Sequence, residues 1–291
     1  MKRMIALVLA LMLALPVLCA AADTPDTQGM RPRDAYLAGA QAYENKEYAD
    51  AAVYFEAAGN HADAQMWAFY CQAICLMMND EATKREIARA QARFELLEAQ
   101  SFQQAAQWVT YCKGRDFELD GIPPKAIENY ATILVHDSLK RYLTCKGKSN
   151  LLESEDTLRA RVARADQHLY GEAAYEIAME YYEGEDYAEA SAYFWLAGNY
   201  EDALLWRFFC QAIQLIVRDE GEPEATINEI KDAAIILDLL KAQGFEAAIP
   251  WSKYCEGREF ETSVPPKALE IFKSILVYDS AIRYLRLKNV E

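Results

Sequence analysis

Apolar and aromatic side chains recur at helical spacing along most of this chain. Near its start they fall at Tyr36, Tyr43, Ala51 and Phe55, intervals that line one face of an amphipathic helix. The positions between them are rich in Ala, Glu, Leu and Gln, which lose little on entering a helix. No segment alternates apolar and polar residues with the β-branched content of a strand. The pattern predicts an all-α protein.

Short polar, glycine-containing or proline-containing stretches mark the predicted helix ends. The turn at residues 45–47 divides the first helical segment into a pair of helices, and Gly114 is expected to end a fifth helix. Pro123 suits the first turn of a sixth helix. The polar stretch 147–155 is the best candidate for a linker, and Ser154 is expected to begin a long helix.

The chain contains one unit written twice. Residues 35–60 match residues 174–199 at an offset of 139, with the same aromatic residues and the same Ala-Gly-Asn ending. The match then continues at offset 143 around residues 102–118 and at offset 142 from Pro123 onward. The offset changes fall in turn-forming stretches, where length changes are tolerated. We predict a first repeat at 31–148 and a second repeat at 155–291.

The first 22 residues have the three-part plan of a secretory signal peptide. Lys2 and Arg3 precede an apolar run from Met4 to Val17, and alanines follow at positions 20–22. A membrane anchor is the alternative, but the run is shorter than the roughly 20 residues of a spanning helix. We therefore expect export, to the periplasm, the cell surface or the medium, with no stable membrane insertion after cleavage.

The excess of acidic over basic residues indicates which classes of binding partner are favoured. Asp and Glu number 45 against 30 Lys and Arg, so the formal charge is −15; without residues 1–22 it is 28 minus 45, or −17. Such acidity argues against nucleic-acid binding, which uses Lys and Arg on phosphates, and against anionic lipid. It favours a protein or peptide partner with positive charge and a salt-sensitive association.

Six cysteines remain after the predicted signal peptide, and an even number in an exported chain suggests disulfides. Cys210 and Cys255 are the only pair in the second repeat, and Cys71 and Cys112 are their counterparts. The other two, Cys75 and Cys145, both lack counterparts. We predict three bonds: Cys71–Cys112, Cys75–Cys145 and Cys210–Cys255. Two alternatives remain. Cys71 and Cys75 lie one helical turn apart and could exchange their bonding partners, or all six cysteines could be buried free thiols.

Two segments resemble the tetratricopeptide repeat. They read Tyr48-x-x-Ala51-x-x-x-Phe55-x-x-Ala58 and Tyr187-x-x-Ala190-x-x-x-Phe194-x-x-Ala197. Gly39 lies nine positions before the first, whereas Ala178 replaces that glycine in the second, and the closing proline is absent from both. The resemblance covers about 25 residues per repeat. It implies a solenoid of helical hairpins that binds other proteins or peptides, without chemistry of its own.

A few residues are candidates for binding. Gly-Arg-x-Phe-Glu recurs with Arg115 and Arg258, which either meet a carboxylate-bearing partner or form structural Arg–Glu pairs. Lys125 and Lys267 follow the two Pro-Pro pairs and have the same two interpretations. Trp195, which replaces Glu56 of the first repeat, is the best candidate for an exposed anchor.

The sequence gives little material for catalysis. It has three His, none at ligand spacing, and no Cys-x-x-Cys, so we expect no metal and no cofactor. We therefore expect an exported, non-enzymatic, TPR-like scaffold for protein–protein or protein–peptide interaction. The alternatives are a cell-surface glycan- or cell-wall-binding module and an enzyme of unrecognised type.

Overall fold

The computed structural model describes residues 25–78, 81–164, 169–218 and 222–288. Within these ranges the chain consists of helices joined by turns, with no strand. This confirms the all-α class. The predicted signal peptide lies outside the described residues. Of the helices that are described, none combines the length and the apolar character needed to cross a bilayer.

The chain divides between Asn129 and Tyr130 into two compact units, here the N-terminal unit and the C-terminal unit. The repeat boundaries predicted from the sequence, 31–148 and 155–291, stay a prediction. The first helices are α1 (Pro32–Glu44), α2 (Tyr48–Ala58), α3 (Ala64–Met77), α4 (Lys84–Ala99), α5 (Ala105–Leu119) and α6 (Pro123–Tyr130). The others are α7 (Ser138–Cys145), α8 (Glu155–Arg161), α9 (Gly171–Glu183), α10 (Tyr187–Leu196), α11 (Ala203–Gln214), α12 (Ile227–Ala242), α13 (Ala248–Phe260), α14 (Pro265–Lys273) and α15 (Ser280–Leu287).

Helices that are adjacent in sequence pack against each other within each unit. In the N-terminal unit α1 packs on α2, α2 on α3, α3 on α4 and α4 on α5. In the C-terminal unit the same holds from α9 through α15. Connections of only a few residues favour this arrangement, since a short turn returns the chain alongside the helix it has just left.

Aromatic rings form a continuous core in each unit. Phe55 stacks on Trp67 with ring centroids 5.8 Å apart, and the matched Phe194 and Trp206 are 5.9 Å apart. Trp67 then meets Phe102 edge-on at 5.0 Å, as Trp206 meets Phe245 at 5.0 Å. Matched tyrosines also make matched polar contacts: the Tyr36 hydroxyl donates to Asp63 at 2.7 Å and the Tyr175 hydroxyl to Asp202 at 2.6 Å. The aromatic positions common to both repeats thus serve packing.

Helices α4 and α12 each begin with a capping box, which was not predicted from the sequence. Thr83 accepts a hydrogen bond from the Glu86 N–H, and the Glu86 carboxylate accepts one from the Thr83 N–H. Thr226 and Glu229 do the same for α12. The two threonines differ by 143 in number, so the spacing Thr-x-x-Glu at matched positions was the available signal.

Two predicted helix boundaries are wrong. Gly114 lies inside α5, which continues to Leu119. Its counterpart Gly257 lies inside α13, where an added Cβ would come within 2.7 Å of the Phe272 ring. This glycine thus allows close helix packing. The long helix expected from Ser154 is short: α8 spans only Glu155–Arg161, and a 3-10 turn, Val162–Arg164, follows it.

The three predicted disulfides are not formed: no cysteine in the described ranges is joined to another. The expected pairs were Cys71–Cys112, Cys75–Cys145 and Cys210–Cys255. Cys210 packs in a cluster with residues of α9 and α10, whereas Cys255 belongs to a separate cluster built largely from α11 and α12. Cys112 faces Met77, with 3.9 Å between the sulfurs. Cys210 and Cys255 therefore lie in different clusters, which their spacing along the chain does not reveal.

Candidate functional site

Of the two matched arginines of Gly-Arg-x-Phe-Glu, Arg115 is buried and Arg258 is partly buried. Arg258 donates to the Tyr254 hydroxyl at 3.1 Å and to the Ala225 carbonyl at 3.1 Å, and its Nε lies 3.2 Å from Glu261. Arg115 is 1% exposed, and its Nε lies 4.0 Å from a Glu118 oxygen. Both arginines have the geometry of the Arg–Glu pair that the sequence analysis gave as the structural interpretation.

A third arginine, Arg283, is the centre of an ionic network in the C-terminal unit. It is 2% exposed and donates from Nη1 to both oxygens of Glu261 at 3.0 and 2.9 Å. It also donates to Asp279 at 2.9 Å and to Glu224 at 2.7 Å. Burial opposes the charged form of Arg283, but the hydrogen bonds that it donates to Asp279 and Glu224 outweigh this effect and raise its pKa. The network fastens the segment before α12 to α15.

Sequence reasoning did not single out Arg283, although a signal was present. The block Arg-Tyr-Leu recurs at 141–143 and 283–285. Arg141 pairs with Asp137 at 2.8 Å, one turn earlier on α7, as Arg283 pairs with Asp279. An arginine recurring four residues after an aspartate predicts such an i,i+4 ion pair.

The two matched lysines are exposed and lie over aromatic rings. The Lys125 ammonium is 5.1 Å from the centroid of the Phe117 ring, and the Lys267 ammonium is 3.6 Å from that of Phe260. Lys267 also pairs with Glu256 at 3.0 Å. Cation–π contacts at exposed sites are worth about 0.5–1 kcal/mol. These ammonium groups already have local partners and are still open to solvent.

Trp195 lies under α8. Its ring packs against a small cluster formed by Leu158, Val162 and Ala192. The Arg159 guanidinium lies over the ring, 5.9 Å from its centroid. Trp195 is therefore half-buried within the C-terminal unit, and less of it is open to a partner than the sequence comparison suggested.

Several groups with large pKa shifts are buried or nearly buried side chains of the helical core. Burial raises the pKa of Tyr43 and of Cys112 to about 12 in each case. Burial also lowers the pKa of Arg207 to about 10, and this guanidinium lies over the Phe208 ring at 5.1 Å. Desolvation is the first cause of all three shifts, which makes the two acids weaker and the cation costly to keep charged.

In the part of the chain that the structure describes, no group of three or more His, Cys, Asp or Glu is placed to hold a metal ion.

A row of carboxylates follows the outer face of α9. Glu172, Glu176, Glu180 and Glu183 are all exposed, and their spacing of four, four and three residues places them on one side of the helix. Among the side chains that the structure describes, no cation forms an ion pair with any of them. We call these four residues the acidic row. The matched positions of α1 hold Arg33, Leu37, Gln41 and Glu44, so the row belongs to the second repeat alone.

Comparison with known proteins gives no match for this chain, whether among protein-family models, curated proteins or solved structures. The geometry of the described residues is therefore the basis for a functional proposal.

Proposed function

We propose that this protein is an exported scaffold of TPR-like helical hairpins that binds a basic protein or peptide segment and catalyses no reaction. The helical-hairpin character is supported by the motif residues themselves. Tyr48, Ala51, Phe55 and Ala58 are all buried in α2. Gly39 of α1 lies so close to Phe55 that an added Cβ would stand 2.9 Å from its ring. A small residue opposite a large one is the packing that such a hairpin needs.

The acidic row is the observation that carries the binding proposal. Repeats share their packing residues first, so a surface feature found in one repeat and absent from the other is free to serve recognition. The four carboxylates extend over about 16 Å of helix at 1.5 Å per residue. Carboxylates this close repel one another, and a cationic partner would relieve that repulsion. The overall charge of −15 acts in the same direction.

We propose that the protein catalyses no reaction because of which side chains have shifted pKa values and what shifts them. An active site combines desolvation with a specific charged partner in a cleft. Here Tyr43, Cys112 and Arg207 are shifted first by burial in the helical core. The buried Arg283 and the partly buried Arg258 donate to carboxylates and to carbonyl or hydroxyl groups of their own unit. Their role is structural.

Titration calorimetry with a defined probe tests this function. The probe is a synthetic helical peptide carrying lysine at positions i, i+4 and i+8, and its charge-reversed glutamate version is the negative control. We expect the lysine peptide to bind, and its affinity to fall at least about tenfold between 50 and 300 mM NaCl, because screening weakens exposed charge contacts.

Charge reversal locates the site. The variant Glu176→Lys with Glu180→Lys is expected to abolish binding of the lysine peptide. The control variant Glu98→Lys with Glu246→Lys changes the net charge by the same amount at two other exposed positions, and it is expected to retain binding. Equal loss in both variants would mean that only net charge matters. Failure of the unmodified protein to bind the lysine peptide at 50 mM NaCl would contradict the proposal.

A further inference from the structure

The end of the C-terminal unit exposes an unusual amount of apolar surface. Leu276 is 85% exposed, Ile282 is 60% exposed and Leu285 is 45% exposed. Ile282 and Leu285 lie three positions apart on α15, hence on one side of the helix, and Leu276 lies in the turn just before it. We call these three residues the end face. An exposed apolar patch of this kind marks an interaction site more often than chance exposure does.

The matched residues of the first repeat are treated differently. Leu134 and Leu143, which correspond to Leu276 and Leu285, are 8% and 0% exposed and belong to the hydrophobic core of the C-terminal unit. Lys140 occupies the position of Ile282. The same hairpin pattern thus buries its leucines at one place in the molecule and leaves them in solvent at the other.

Three exposed cations lie close to the end face in sequence, and we call them the rim. Lys273, Arg286 and Lys288 are all exposed, and the Arg286 side chain is 60% accessible. The Lys288 ammonium lies over the Tyr284 ring, 5.5 Å from its centroid. The Arg286 guanidinium lies 3.8 Å from a Glu224 oxygen, and Glu224 also pairs with Arg283. Within an acidic chain, this rim is a local excess of cations beside apolar side chains.

We propose that the end face docks an amphipathic α-helix of a partner protein, with apolar residues toward the leucines and acidic residues beside the rim. An apolar helical surface is covered well by another helix with anchors at i, i+3 and i+4. A second copy of this chain in a two-fold arrangement would bring the cationic rims together. The acidity of the whole chain opposes an anionic membrane. The proposal rests on the scaffold role but uses different residues from the acidic row.

The test measures fluorescence anisotropy of a labelled 18-residue model helix with leucine on one face and glutamate on the other. A peptide with the same leucine face and lysine in place of glutamate is the comparison. We expect the glutamate helix to bind, and Ile282→Lys, which introduces the residue found at the matched position, to weaken it at least about tenfold, equivalent to 1.4 kcal/mol. Leu37→Lys is the matched control, since Leu37 is 56% exposed on α1, and it should leave the affinity unchanged.

A second variant, Lys273→Glu with Arg286→Glu, tests the rim without altering the apolar residues and is expected to reverse the preference between the two helices. The proposal is overturned if the unmodified protein does not bind the glutamate helix or if Ile282→Lys has no effect. It is also overturned if sedimentation equilibrium reveals a dimer that Ile282→Lys dissociates, or if the end face instead binds vesicles of phosphatidylcholine with phosphatidylglycerol. Binding of the lysine peptide to the acidic row, measured in parallel, distinguishes failure of this docking site from failure of the scaffold role.

Discussion

Residues in the left-handed conformation end several helices in both units. After α4, Ser101 has φ 64°, and its N–H donates to the Glu98 carbonyl at 2.8 Å. After α12, Gly244 has φ 81° and donates to the Lys241 carbonyl at 3.0 Å. In each case the next residue also bonds back to the helix, which completes a Schellman motif. The two turns have the same geometry, but only one is made by glycine.

This difference predicts opposite effects of two substitutions. Ser101→Gly should raise the free energy of unfolding by about 0.5–1 kcal/mol, because a side chain in the left-handed region costs roughly 1–2 kcal/mol and glycine recovers part of it. Gly244→Ser should lower it by about 1 kcal/mol, through the backbone alone, since an added Cβ there meets no atom within 4 Å. Urea denaturation measures both. Destabilisation by Ser101→Gly would contradict the argument.

Residue-scale prediction from the sequence succeeds where a contact is local and fails where it depends on which layer a side chain faces. The turn at residues 45–47 is confirmed, with Lys46 at φ 64°. The glycine at 114 was interpreted as a helix end, whereas its counterpart Gly257 makes room for Phe272. The pairing of Cys210 with Cys255 fails for the same reason, since these two residues lie in different clusters.

At the scale of elements, ionic contacts attach short segments to the helices. Glu224 lies in the segment before α12 and accepts a hydrogen bond from Arg283 on α15 at 2.7 Å. This bond holds the pKa of Glu224 below its ordinary value of 4.5. Because the folded state lowers this pKa, its contribution to stability is complete above the ordinary carboxyl range. The contribution is lost as the pH falls through the lowered value.

Glu224→Gln is therefore expected to destabilise the protein at pH 7, by less than about 1 kcal/mol because this carboxylate is largely exposed. The difference from the unmodified protein should fade as the pH falls below 4.5, through the lowered pKa of Glu224. Thermal denaturation across this pH range measures it, with Glu222→Gln as the control two residues away. A difference that stays constant to pH 3 would show that the Arg283 contact does not depend on the Glu224 charge.

Element boundaries were predictable only in part. Pro123 begins α6, as predicted, because proline at the first helical position needs no partner for a missing N–H. The spacing Thr-x-x-Glu at Thr83 and Thr226 marks two helix starts, although neither start was predicted from it. The cover that α8 places over Trp195 was not predictable, because it depends on contacts between segments that are far apart in sequence.

At the scale of the whole molecule, composition and periodicity were sufficient for the fold class. Helical spacing of apolar residues predicted an all-α chain, and the described ranges confirm it. Matched aromatic residues make matched contacts, such as Tyr36 with Asp63 and Tyr175 with Asp202. The acidic row was not predicted, although the helical spacing of its four glutamates is visible in the sequence. The end face was not predicted, because exposure of Leu285 and burial of the matched Leu143 are properties of the folded chain.

The central claim is that the second repeat has a binding surface which the first repeat lacks. Hydrogen–deuterium exchange with and without the lysine peptide tests it most directly. We predict slower exchange in α9, residues 171–183, and unchanged exchange in α1, residues 32–44, with the protection lost at 300 mM NaCl. Unchanged exchange in α9, or equal protection of both helices, would contradict the account.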